Sequence, residues 1–160
     1  MPEPEADPGA TPSRVPWPPL LIAGLVVVAV TLGRWWPLGW PGVDDTIARV
    51  IGIGLGVAGV ALLVWAILTL RRHGTTVLPD AAASTLVTSG PYRYRRNPIY
   101  LADALILLGV AELTKNVWFV VAALAFVLLV TWLAILPEER HLEKRFGRDY
   151  LDYKAKTRRW

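Results

Sequence analysis

Apolar residues in this chain come in blocks, not in the scattered helical or strand periods of a water-soluble domain. Residues 20–36 carry one charge, Arg34, near the end of the block, and residues 47–70 carry one, Arg49, near the start. Residues 98–113 hold Asp103 and Glu112, and residues 117–136 hold no charge at all. A hydrocarbon core of ~30 Å takes roughly 20 helical residues. The second and fourth blocks meet that length, and the first does once residues 17–20 join it. The third is short, so it is expected to tilt, to be shielded by protein, or to be extended by its polar ends. The pattern predicts an all-α integral membrane protein with about four transmembrane helices, near 17–36, 47–70, 98–114 and 117–136.

The boundaries carry their own signals. Pro16, Pro18 and Pro19 lead into the first helix, and Trp35, Trp36 and Pro37 close it with an aromatic belt and a breaker. Residues 37–46 form a short outer turn in which Asp44 or Thr46 can cap helix two. Pro98 suits a first helical turn. Lys115 and Asn116 make a tight turn, so helices three and four are expected to form an antiparallel hairpin that ends at Pro137. Gly54, Gly56 and Gly59 spell GxGxxG, but no strand precedes them and they lie mid-membrane, so the dinucleotide reading fails its context. Gly52 and Gly56 instead offer a small face for close helix packing.

Beyond Pro137 the pattern changes. Leu142, Phe146, Tyr150 and Tyr153 fall on one helical stripe among charges, which predicts an amphipathic cytoplasmic helix near 138–155, on the membrane or on the central loop. Glu138 shares that stripe, and Gly147 marks a bend. At the other end, residues 1–16 are acidic and proline-rich and read as a disordered tail. They lack the basic start and cleavage site of a secretory signal. Residues 17–160 are then one membrane domain.

Charge sets the orientation. Of 17 Lys and Arg residues, the loop 71–97, the tail 137–160 and Arg14 hold fourteen, against Arg34, Arg49 and Lys115 on the other side. That asymmetry predicts an inner-membrane protein with both termini and the loop in the cytoplasm. The net charge of +4 is therefore juxtamembrane, which points to anionic membrane lipids as partners and not to nucleic acid. The chain has no cysteine, which excludes disulfides, thiolate catalysis and cysteine-ligated metals. His73 and His141 are far apart in sequence and suggest no metal pair.

The densest chemistry lies in residues 88–101, TSGPYRYRRNPIYL. Arg93, Arg95 and Arg96 can each donate two hydrogen bonds to a carboxylate or phosphate. The interleaved Tyr92, Tyr94 and Tyr100 offer faces that stack on a purine or attract a cation. Glu138 and Glu139 can bind ribose hydroxyls or act as base. Asp103 is an intramembrane carboxylate near the cytoplasmic mouth, and such groups mark function. Glu112, close to the outer interface, reads as solvated.

GPYRYRRNPIYL, the Glu138-Glu139 pair and LEKRFGRDYLDYKAKTRRW together resemble the isoprenylcysteine carboxyl methyltransferase family, which is similar to the phospholipid N-methyltransferases. The resemblance covers roughly residues 47–160. It implies a membrane methyltransferase that uses S-adenosylmethionine on the cytosolic side and a lipophilic methyl acceptor bearing a carboxylate, amine or phenol, with no metal. Carried over by position, it assigns Gly90, Pro91, Tyr92, Arg93, Tyr94, Arg96, Asn97, Tyr100, Glu138, Glu139 and Leu142 to the cofactor, and Arg96, Asn97 and Glu138 to catalysis. Asn97 stands where the family often has histidine, and an amide hydrogen-bonds but does not titrate near neutrality. Two other readings remain at this point: an NADPH-dependent reductase of the sterol-reductase type, and a non-catalytic protein whose basic loop binds anionic lipid.

Overall fold

The computed structural model describes residues 16–40, 46–75 and 85–160. The expected tail, apart from Pro16, and the capping position Asp44 lie outside the described residues. Helices α1 (Trp17–Trp35), α2 (Thr46–Arg72), α3 (Pro98–Thr114) and α4 (Val117–Val130) follow the four apolar blocks. A short 3-10 turn, Gly90–Arg93, precedes α3. A π turn, Thr131–Ile135, joins α4 to α5 (Leu136–Lys156). The chain is thus an all-α integral membrane protein. Among the described residues, three helices are long and apolar enough to cross a membrane: Trp17–Trp35, Thr46–Arg72 and the continuous Val117–Lys156. The 17 residues of α3 reach about 26 Å at 1.5 Å per residue.

Local chemistry explains the ends. Proline occupies the first turn of α1 and of α3, where its missing N–H costs no hydrogen bond. Lys115 adopts the left-handed conformation with φ 51° and ends α3, its N–H reaching the carbonyls of Ala111 and Glu112. The Asn116 side chain then caps α4 by accepting from the Trp118 N–H at 3.0 Å. Pro137 does not end the fourth helix as expected. The π turn shifts the register, with the Leu136 N–H donating to Thr131, and the helix runs through the proline into α5. The break comes at Gly147 instead, where φ 51° and ψ −120° separate two helical halves.

In the bundle α1 packs chiefly on α4, α4 on α3, and α3 on α2. The α2–α3 contact is built on small residues. A methyl group on Gly56 would lie 3.1 Å from the Cα of Gly109, and one on Gly59 would lie 2.8 Å from the Ala102 carbonyl. Gly56 and Gly59 of the GxGxxG run therefore pack against α3, whereas nothing lies within 4 Å of a Cβ on Gly54. Glu112 corrects the sequence reading. It is buried against Gly52 and ion-paired with Lys115, not solvated. Phe126, Val130, Ile135 and Leu107 centre the core, while Val27, Val57, Leu124 and Trp132 face outward where lipid would lie.

Candidate functional site

Because α1 and α2 pack on opposite partners, a gap remains between them in front of α3. At the end of the bundle where α3 begins, that gap is a cavity of about 370 Å³. One wall is apolar, from Pro18 and Ile22 of α1 and Leu63 and Ile67 of α2. The opposite wall is polar and comes from both sequence motifs. Tyr92, Arg96, Asn97 and Tyr100 descend from the loop and the start of α3, and Glu138, Glu139, Leu142, Tyr150 and Tyr153 rise from α5. Asp103 lies one turn deeper in α3 than Tyr100 and lines the same space.

The structure places the other proposed site residues outside the lining. Gly90 has φ 59°, and a Cβ there would strike the Thr69 hydroxyl at 2.6 Å, so it shapes the turn. Pro91 is buried beneath the same turn. Arg93 and Tyr94 point away from the cavity and are exposed, because a 3-10 turn spaces side chains about 120° apart and only Tyr92 can face inward. The Tyr92 ring joins Ala66, Leu70 and Val87 in a small core at the end of α2. Its carbonyl accepts from the Tyr153 hydroxyl at 2.6 Å.

The charged groups form a small network at the cavity. Arg96 and Glu138 line one cavity, but Arg96 bonds Glu139, at 3.2 Å. Its other terminal nitrogen donates to the carbonyls of Lys154 and Thr157, at 3.1 and 2.5 Å. Both ends of the guanidinium are thus engaged, and only the buried Nε lacks a partner. Glu139 is also held by Arg159, whose Nε and terminal nitrogen donate to its two oxygens at 2.9 and 2.8 Å. Burial alone would raise the Glu139 pKa, but the bonds and charges of Arg159 and Arg96 outweigh it and hold the carboxyl below its usual range. Glu138 accepts from the Tyr100 hydroxyl at 3.4 Å. Burial pushes Glu138 up to about 7, with the Tyr100 bond opposing and the Glu139 charge adding. Asn97 donates to the Arg159 carbonyl at 3.2 Å, so its amide ties down the chain end.

Sequence reasoning missed Arg159, Thr75 and His141. Among the described residues, the Thr75 hydroxyl, the His141 Nε2 and the Arg96 Nε are buried without a partner, and all three residues line the cavity. Unpartnered buried polar atoms are rare in native folds, and three around one cavity suit a polar ligand. Burial, then the charges of Arg145 and Lys144, lower the His141 pKa, so the ring is neutral near pH 7. Burial keeps the Tyr92 and Tyr150 phenols above their ordinary range, so both stay protonated. No group of three or more His, Asp or Glu placed to hold a metal ion occurs among the described residues.

Fold and site together define a helical membrane protein with a cavity lined by both polar and apolar side chains. Residues 47–149 match the phospholipid methyltransferase family, and the chain belongs to that family. It is 27% identical over 141 residues to the nickel-cobalt-cadmium resistance protein NccN of Alcaligenes xylosoxydans xylosoxydans, a match covering 86% of this chain and 59% of that protein. It is 32% identical to the cobalt-zinc-cadmium resistance protein CzcN of Cupriavidus metallidurans, over 71% of this chain and 50% of that protein. An uncharacterized protein of Haemophilus influenzae is 37% identical over 39% of this chain and 98% of its own length. The chain thus spans between half and three-fifths of the first two relatives. No solved structure matches it.

Proposed function

We propose that the chain is an integral-membrane, S-adenosylmethionine-dependent methyltransferase acting on a lipophilic or membrane-associated carboxylate, amine or phenol. The observation that carries this reading is the two-sided cavity, with carboxylates and unpartnered polar atoms at one wall and an apolar wall from α1 and α2 at the other. Its volume of about 370 Å³ lies within the roughly 300–1,000 Å³ of small-molecule sites. When bound, S-adenosylmethionine supplies an electrophilic methyl group on a sulfonium.

The residues present fit such a cofactor. Glu138 accepts hydrogen bonds from ribose hydroxyls, and the Arg96 Nε donates to the methionyl carboxylate. The Tyr92, Tyr150 and Tyr153 side chains offer aromatic surface to the adenine and the sulfonium. Leu63, Ile67 and Ile22 exclude water from the transfer and admit an alkyl chain from the bilayer. Positioning and desolvation are the main demands of an in-line displacement. The basic residues around this end of the bundle face anionic lipid headgroups on the cytoplasmic side of the inner membrane.

The test is calorimetry on folded protein in detergent, with S-adenosylmethionine, S-adenosylhomocysteine and NADPH. Heat is expected from the first two and none from NADPH. Transfer of labelled methyl from S-adenosylmethionine into the lipid fraction should follow. No heat from either sulfur compound overturns the reading, and heat from NADPH alone favours a reductase.

A further inference from the structure

After α5 the chain turns back along the loop that carries the arginines. Arg95 and Arg158 form a parallel β-bridge, and the Arg96 N–H donates to the Arg158 carbonyl at 2.9 Å. Asn97 fastens the next carbonyl, that of Arg159. This pairing aims the Arg159 side chain at Glu139, whose carboxylate it grips with two parallel bonds of 2.9 and 2.8 Å. The Glu139 side chain is 7% exposed and shares one oxygen with Arg96. Arg159 does not line the cavity, whereas Arg96 and Glu139 do.

The consequence concerns Arg96. Its two terminal nitrogens already bond Glu139 and the Lys154 and Thr157 carbonyls, so the unpartnered Nε–H and the second N–H of the nitrogen facing Glu139 are what remain for a ligand. That arrangement holds only while Glu139 keeps one orientation. A planar fork on both carboxylate oxygens fixes orientation as a point charge cannot. Without Arg159, Glu139 would be buried beside Glu138 with Arg96 as its one cationic partner.

Resting on the methyltransferase reading, we propose that Arg159 is a positioning residue of the cofactor site, fixing Arg96 through Glu139 without touching the ligand. A mere staple for the chain end would lower thermal stability and leave ligand affinity unchanged. Positioning through Glu139 instead predicts a specific pattern of affinities.

The experiment titrates S-adenosylhomocysteine into the full chain in detergent, as parent, Arg159→Ala, Arg159→Lys, Glu139→Gln and the Arg159→Ala/Glu139→Gln pair. Arg159→Ala should weaken binding about tenfold or more, the scale of one lost charge-assisted hydrogen bond. Arg159→Lys should recover part of that loss. The pair should bind no worse than Glu139→Gln alone, because Arg159 acts only through that carboxylate. The groups facing Glu139 are Arg159, Arg96, Glu138 and Tyr150. Removing Arg159 should therefore make affinity fall more steeply than in the parent as pH drops from about 8 to about 5. Parent-like affinity and pH profile in Arg159→Ala, or additive losses in the pair, overturn the inference alone. If Arg159→Ala does not fold, parent-level binding by folded Arg159→Lys overturns it equally. A parent chain that binds nothing overturns the cofactor reading and this inference with it.

Discussion

Glu138 and Glu139 are neighbours in sequence with opposite protonation behaviour. Two arginines keep Glu139 ionised, whereas burial raises Glu138 to about 7 against the Tyr100 hydrogen bond. A carboxyl with a raised pKa is neutral below that value and charged above it. Binding ribose hydroxyls or a sulfonium requires the charged form. Affinity for S-adenosylmethionine is therefore expected to rise with pH through about 7. Glu138→Gln should abolish that dependence and bind roughly tenfold to a hundredfold more weakly at high pH. A calorimetric pH series on both proteins checks this. The place of the acidic pair was legible in the sequence, since two carboxylates follow the fourth apolar block directly after Pro137. Which of them meets Arg96 was not. Adjacent helical residues point about 100° apart, and only the docking of α5 decides which side chain faces the arginine. Arg159 was illegible for a similar reason, because its approach depends on backbone pairing between residues some sixty positions apart.

At the scale of elements, the apolar blocks gave α1 to α3 nearly to the residue, because membrane length and proline punctuation fix them locally. The fourth helix departs. Sequence alone gives Pro137 as a stop, but the π turn before it changes which carbonyl each N–H must reach, and the helix continues. The amphipathic stripe departs too. Leu142, Phe146, Tyr150 and Tyr153 share a face only on an unbroken helix, and Gly147 breaks it. Tyr150 is consequently 1% exposed beside the cavity, with its ring edge-on to Tyr153 at 6.1 Å. Phe146 stays partly exposed under Arg145. Tyr150→Ala should cost about 3–5 kcal/mol, as for other buried aromatic rings. Phe146→Ala should cost ~1–2 kcal/mol, since much of its ring never leaves solvent or lipid headgroups. Thermal midpoints of the two variants in one detergent should differ in that order. Equal midpoints would mean that the stripe is continuous and the bend incidental.

Across the whole molecule, the cavity and the α3–α4 turn mark opposite ends of the bundle. Pro18 at the start of α1 and Tyr150 of α5 line the same cavity, so the beginning of α1 and the C-terminal helix meet at one end. The Lys115-Asn116 turn is tied to the other end. Asn116 donates to the Ala29 carbonyl at 3.0 Å, and the Trp118 indole donates to the Trp36 carbonyl at 2.9 Å, beyond the last turn of α1. Lys115 also sits 5.4 Å from the Trp40 ring and pairs with the buried Glu112. These contacts bear on the short third helix. About 26 Å is less than the ~30 Å hydrocarbon thickness, so length alone allows α3 and α4 to form a re-entrant hairpin that never reaches the far surface. The ties to α1 oppose that, because α1 is long enough to cross and its far end holds the turn. The charge asymmetry points the same way: residues 71–97 and 137–160 hold thirteen Lys and Arg residues, against Arg34, Arg49 and Lys115 on the side of the turn. A reporter fused after Lys115 should therefore lie on the opposite side of the membrane from one fused after Trp160, with the latter cytoplasmic. Reporters on the same side would make α3 and α4 a re-entrant pair and turn the cavity away from the surface on which a soluble cofactor arrives.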